Sequence, residues 1–508
     1  MEKQNAYRFH TAAVALVVAL LAFLPAWAST GEDEPRQPSM SALSEAYDIV
    51  IRNGRVMDPE SGLDAIRSVG VTNGVISAIS SEPLPGRVVI DATGLLVAPG
   101  FIDYQLHMQP HHHRVQILDG VTTALETVMG IEDVDRWYTE RERHALINFG
   151  VSVGHGRVRM SVMRDPGRLF PGGDARNRAA TPGEIAEIRQ KIERELRRGA
   201  LGVSFSYMLT PAASGWETLE TFRAAASLGA PVNATLRGGW WSVDDMPRYL
   251  ADMIGMATVT RVPLHINHLK ASGGPHTPRM LQILQEARSA GLEITAEIFP
   301  YTTSIARLTK GEGETDDWQS WPDNAFHDFE SMETGERLTR ESYARYLERD
   351  ALVLVHNDAL ASIMDEIVAS PLTMVISYAH LDEEGNSHPR MSGTRARLLG
   401  HYVREKRVLS LMEAIRKMTL MPARRFEQWV PAMKNKGRIR EGADADIVVF
   451  DAERIIDQAT FREPTNPSQG VAYVLINGVL VARDGVIQEG VYAGQPVRAS
   501  ASSGQRGN

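Results

Sequence analysis

The chain has no cysteine in its 508 residues. Disulfides, thiolate nucleophiles and cysteine zinc sites are therefore excluded, and any metal must take His, Asp, Glu, Lys or backbone ligands. Charge of one sign is also scarce. A net charge of -9 over this length leaves no basic stripe to neutralise phosphates, which excludes nucleic acid as a partner. Long apolar runs are confined to one place. Lys3 and Arg8 precede "TAAVALVVALLAFL", Thr11 to Leu24, and Ala26-Trp27-Ala28 follows. The run falls short of the ~20 residues that a membrane span needs, and Pro25 ends it. Residues 1–28 therefore read as a signal peptide cleaved at an A-x-A site, with no membrane span left afterwards. The mature chain is expected in the periplasm or secreted. Residues 29–45 read as a disordered leader.

What is present is a soluble globular composition, 43% apolar and 23% charged. Residues 46–96 alternate short apolar runs with turns, and Asn53-Gly54 and Asn73-Gly74 mark hairpins. From residue 97 the pattern changes to apolar strands separated by helical stretches. Eight strands read at 95–107, 121–128, 147–155, 200–207, 230–237, 262–270, 292–301 and 372–380. Helices such as Pro182–Arg198 and Trp216–Leu228 lie between them. Continuous apolar strands alternating with helices imply a parallel sheet buried on both faces. Eight such units imply a (β/α)8 TIM barrel, of class α/β, over residues 97–430. The polar interval 302–371 is too long for one crossover and reads as an insertion that could cover the site as a lid. Residues 431–497 return to short strands and turns. They are expected to pair with 46–96 as one small β-sandwich, and 498–508 reads as a disordered tail.

Barrel sites lie at the carboxyl ends of the strands. Those ends supply Gln105 and His107, Glu126, His155, Tyr207, Thr235 and Arg237, His268 and Lys270, Tyr301, and Tyr378 and His380. Four strands thus end near a histidine, a concentration that points to acid–base or metal chemistry. His111–His113 are consecutive and read as a solvated loop. His265 is offset by three from His268, so strand alternation sends the two to opposite faces.

Motifs along residues 46–495 carry a family resemblance. They are "DIVIRNGRVMDPESG", "VAPGFID", "DGVTTALE", "GALGVSFSY", "HINHLKASG", "FPYT", "HPRMSGT" and "GRIREGADADIVVFD". In this order they resemble the amidohydrolase superfamily, and within it the N-acyl-D-amino-acid deacylases of the N-acyl-D-glutamate deacylase type. The resemblance implies hydrolysis of an amide by water held on one or two divalent ions. It implies ligands from an H-x-H pair on strand one, a Cys or Glu on strand two, histidines on strands five and six, and an Asp on strand eight. That Asp also acts as base.

Position by position, His107, Glu126 and His268 keep this pattern, whereas Gln105, Leu236 and Tyr378 depart from it. The carboxylate-holding positions are better kept: Lys270, Tyr207 and Tyr301 match, and Arg390 and Arg237 are further anion-binding residues. Three readings stay open. The first is an amidohydrolase acting on an amide (C–N) bond of a small carboxylate-bearing substrate. It would use one zinc ion on His107, Glu126 and His268, with His380 or His155 replacing the lost Asp. The second is a metal-free enzyme in which His107, His155, His268, His380, Glu126 and Tyr378 act as acids and bases in cyclisation, elimination or acyl transfer. The third is a binding protein that keeps the pocket without catalysis.

Overall fold

The computed structural model describes residues 46–105, 112–237, 245–309, 318–378 and 387–500. The signal, the leader, His107, His111 and His380 lie outside them.

Eight parallel strands form the barrel: Phe101–Asp103, Val121–Ile131, Asn148–Gly154, Val203–Ser206, Val232–Thr235, Leu264–Ile266, Ile294–Ile298 and Thr373–Val375. They neighbour one another in sequence order. The last meets the first through Tyr378 N–H, which donates to the Gln105 carbonyl at 3.1 Å. Ser377 N–H reaches Asp103 Oδ1 at 3.3 Å beside it. The helices follow from local signals. Thr181 and Glu184 form a capping box before Pro182–Arg197. Ser214 caps Gly215–Leu228, and Gly229 ends it in the left-handed conformation.

The stretch read as strand one is divided at Gly100. Leu96–Pro99 pairs antiparallel with Ile447–Phe450 in the second sheet, and Phe101–Asp103 opens the barrel. A Cβ on Gly100 would lie 2.3 Å from Thr122, so only glycine fits where the chain passes between the two sheets. The second sheet has nine strands and takes both terminal segments, with its own core of Ile51, Val56, Val69, Val71, Ile447 and Val449.

The end of the barrel opposite the mouth is sealed by the segment that follows the barrel. Lys417 Nζ donates to the Thr373 carbonyl at 2.9 Å, Arg425 Nη2 to Pro263 at 3.0 Å and Trp429 Nε1 to Ala200 at 2.9 Å. These carbonyls stand at or just before the start of strands eight, six and four.

Within the interval 302–371, the described residues are folded. Ser304–Arg307, Phe329–Ser331 and Leu352–Val355 form an antiparallel sheet over Leu308, Phe326, Leu338, Tyr343 and Val353. Asp358–Ala369 then supplies the helix before strand eight.

Candidate active site

The site is organised by strand six. Its sequence, "LHINHLK", places His265 and His268 in adjacent turns of backbone, and both reach one carboxylate. Glu297 Oε2 pairs with His265 Nε2, while Oε1 accepts the backbone N–H of His268 and lies 3.1 Å from its Nδ1. The expected divergence of the two histidines fails for a local reason. His268 has φ 53°, a left-handed residue that turns its ring back toward strand seven. Glu297 is fully buried. Burial, reinforced by Asp103, pushes its carboxyl well above the usual range. Burial likewise holds His265 well below its usual range, helped by Arg425 and His268. Sequence reasoning missed Glu297. The available signal was a lone acid inside the apolar strand "ITAEI".

Tyr378 closes over this group. Its ring centroid is 3.8 Å from that of His268, and its own φ is 43°. Burial raises its phenol above the usual range, so it is protonated at neutral pH.

Beside Tyr378 stands Phe299, and two cations lie on its ring: Lys270 Nζ at 3.8 Å and the Arg390 guanidinium at 4.4 Å. Lys270 is 3% exposed and donates to the Tyr301 carbonyl. Among the described residues neither cation is paired with an acid. Burial, with Arg390 alongside, lowers Lys270 well below the usual lysine range. Burial also pushes Arg390 down to about 10. Two desolvated cations without a counter-charge are unfavourable alone and form an anion site together. Tyr301 belongs to the wall of this site, but it serves Lys270 through its backbone carbonyl.

The other residues named from the sequence lie as follows. Arg237 sits over the Tyr207 ring at 3.8 Å and donates to the Tyr207 hydroxyl and the Ala213 carbonyl, so these two residues engage each other. His155 is fully buried against Phe205 and pairs with Glu217 at 2.8 Å; Glu217 also holds Arg159. Neither Phe205 nor Glu217 touches the His268–Tyr378 pair among the contacts described. Glu126 Oε1 accepts backbone N–H groups from Val128 and Met129 at 3.0 and 2.9 Å. Both atoms of the Gln105 carboxamide are buried without a hydrogen-bond partner among the described residues. Leu236 is 1% exposed. His112 and His113 are not on a solvated loop; they are buried in the helix His112–Ile117, where Gln116 and Ile117 share the inward face. Among the described residues no three His, Asp or Glu side chains converge as a metal cluster would.

Known proteins share this frame. The Amidohydrolase family model matches residues 335–482. N-acyl-D-glutamate deacylase of Alcaligenes xylosoxydans xylosoxydans is 29% identical over 490 residues, covering 86% of this chain and 94% of that protein. D-aminoacylase of the same organism is 27% identical over 498 residues, covering 89% and 97%. The solved N-acyl-D-glutamate deacylase of Bordetella bronchiseptica, complexed with zinc and a phosphonate mimic of the tetrahedral intermediate, superposes with a TM-score of 0.71. It is 26% identical and is covered completely by 90% of this chain. These matches support the amidohydrolase superfamily, in its N-acyl-D-amino-acid deacylase branch, as the family of this chain, and with it a hydrolase acting on C–N bonds other than peptide bonds.

Proposed function

We propose that this chain is an exported hydrolase that cleaves the amide bond of a small carboxylate-bearing substrate of the N-acyl-amino-acid class. The observation that carries the reading is the pair Lys270 and Arg390 on the Phe299 ring, two cations with no acidic partner among the described residues. A substrate carboxylate supplies the missing charge, and charge-assisted hydrogen bonds of this kind contribute about 1.5–3 kcal/mol each.

The solved relative holds zinc. Here the positions that the resemblance assigns to ligands include a carboxamide at Gln105, an alkyl chain at Leu236 and a phenol at Tyr378. One oxygen of Glu126 is already held by its own backbone. This donor set does not fit a two-ion centre. The chain's own groups suffice for the proton transfers. Glu297 fixes His268, whose imidazole takes the proton of the attacking water. The Tyr378 phenol donates to the oxygen that becomes negative as water adds to the amide carbon. Collapse breaks the C–N bond, and the proton on His268 passes to the leaving amine.

The test is amine release from N-acetyl-D-glutamate and other N-acyl-D-amino acids, with and without a chelator, beside the elemental content of the mature protein. Turnover that survives chelation is expected. Stoichiometric zinc whose removal abolishes turnover would replace this reading with a one-ion site on His107, Glu126 and His268. N-terminal sequencing of secreted or periplasmic protein should begin near Ser29; an intact Met1 there sinks the cleavage reading, and protein found only in the cytoplasm sinks the export reading.

A further inference from the structure

His388, two residues before Arg390, uses both ring nitrogens. Nε2 lies 2.7 Å from the Thr303 carbonyl, and Nδ1 accepts the Arg390 backbone N–H at 3.0 Å. The ring is 2% exposed and is gripped edge-on by Tyr301 at 5.0 Å and Phe461 at 4.8 Å. Burial, with Arg390 next, holds it well below the usual histidine range. The imidazole is therefore neutral, with its proton on Nε2 and its lone pair on Nδ1.

The partner at the first nitrogen is Thr303, at the root of the 302–371 insertion, one residue before the strand Ser304–Arg307. The Thr303 hydroxyl lies 3.3 Å from His356 Nδ1, and His356 Nε2 lies 3.0 Å from Glu330 Oε2. His356 follows the strand Leu352–Val355, and Glu330 lies in Phe329–Ser331. One bonded path thus runs from all three strands of the insertion, through Thr303 and His388, to the backbone that starts the Arg390 helix.

We propose that His388 is a positioning residue that sets Arg390 in the anion site and ties that site to the seating of the 302–371 insertion. A carboxylate bound at Lys270 and Arg390 then steadies the insertion, and a steadied insertion improves carboxylate binding, as reciprocal coupling requires. The inference rests on the anion site proposed above.

The test uses the full chain, N-acetyl-D-glutamate as the probe, calorimetry for binding and hydrogen exchange for the insertion. In the wild type, saturating probe should slow exchange at Ser304–Arg307 and Leu352–Val355. His388→Asn keeps an acceptor for the Arg390 N–H, because Asn bonds backbone two residues on, but it lacks the reach to Thr303. It should still bind, within about threefold of the wild type, with that slowing lost. His388→Ala should weaken binding about tenfold as well, a loss that one charge-assisted or buried hydrogen bond can account for. Slowing retained in His388→Asn overturns the coupling, as does binding to the wild type without slowing. No binding to the wild type overturns the anion site, and the coupling with it, so the two failures are told apart by calorimetry.

Discussion

The rings of His268 and Tyr378 lie 3.8 Å apart, centroid to centroid, and both residues hold left-handed backbone, at φ 53° and 43°. Each such residue costs of order 1–3 kcal/mol, and it persists where surrounding contacts over-determine it. Here the contacts are visible. Glu297 holds His268 N–H, and the Gln105 carbonyl holds Tyr378 N–H. Strain at the ends of strands six and eight thus presses an imidazole against a phenol beside an anion site.

That contact makes Tyr378→Phe an informative change. The ring stays and only the donor is lost. Removing one donor to a developing oxyanion typically costs about 10²–10³ in kcat. Steady-state kinetics should show a fall of that order with KM changed less than about threefold, if Tyr378 acts in the transition state alone. An unchanged kcat would remove Tyr378 from the chemistry.

Lys270→Met should weaken substrate binding and strengthen the fold. Loss of a charge-assisted bond raises KM by about 10–100-fold, from 1.5–3 kcal/mol. The empty protein is relieved of an unpaired buried charge, so its melting temperature should rise. The sign with pH follows from the lowered lysine. Folded protein binds fewer protons than unfolded protein between the depressed value and the usual 10.5, so wild-type stability climbs with pH through that window. The advantage of Lys270→Met should therefore be largest at low pH and shrink as pH rises. Chemical denaturation across pH checks it; a constant difference would mean that Lys270 is not desolvated.

Gln105 offers a test of the lost ion pair positions. Its carboxamide is buried and unsatisfied among the described residues, and such groups cost about 1–3 kcal/mol. Gln105→Leu should raise the melting temperature while leaving zinc content and turnover unchanged. Restoring donors with Gln105→His, Leu236→His and Tyr378→Asp together should instead confer zinc, read by elemental analysis. Zinc loss or inactivity in Gln105→Leu would show that the carboxamide serves the site.

Much of this was legible in the residues, and the exceptions are instructive. The eight strands and their helices follow from apolar runs, caps and breakers, which are local. Lys270 was visible because it closes the stretch read as strand six and matches the family's carboxylate-holding position, and Arg390 because it lies in the motif "HPR" that carries the resemblance. The pairing of Tyr207 with Arg237 was not, because it depends on how two loops approach. His265 and His268 were assigned to opposite faces by strand alternation, which stops applying once one residue turns left-handed. Glu297 was invisible for a related reason: its value lies in two partners on the neighbouring strand, and register between parallel strands is not written in either one alone.

Glu297 also allows a prediction about its proton. Burial drives its carboxyl well above the usual range, and a protonated carboxyl is close in shape to a carboxamide. Glu297→Gln should then be mild, about 1 kcal/mol, whereas Glu297→Leu strands the His265 ring and the His268 N–H and should cost about 3–5 kcal/mol. The sign with pH separates the cases further. A raised carboxyl contributes stability that is fully present below its ordinary 4.5 and is lost as pH rises through the folded value. Wild type should therefore lose stability relative to Glu297→Gln as pH increases, measured by denaturant unfolding at each pH. If Glu297→Gln is as damaging as Glu297→Leu, and the wild type's advantage shrinks toward acid, Glu297 is ionised in the fold. His265 or His268 must then carry the matching charge, and His268 could not begin the reaction as the proton acceptor.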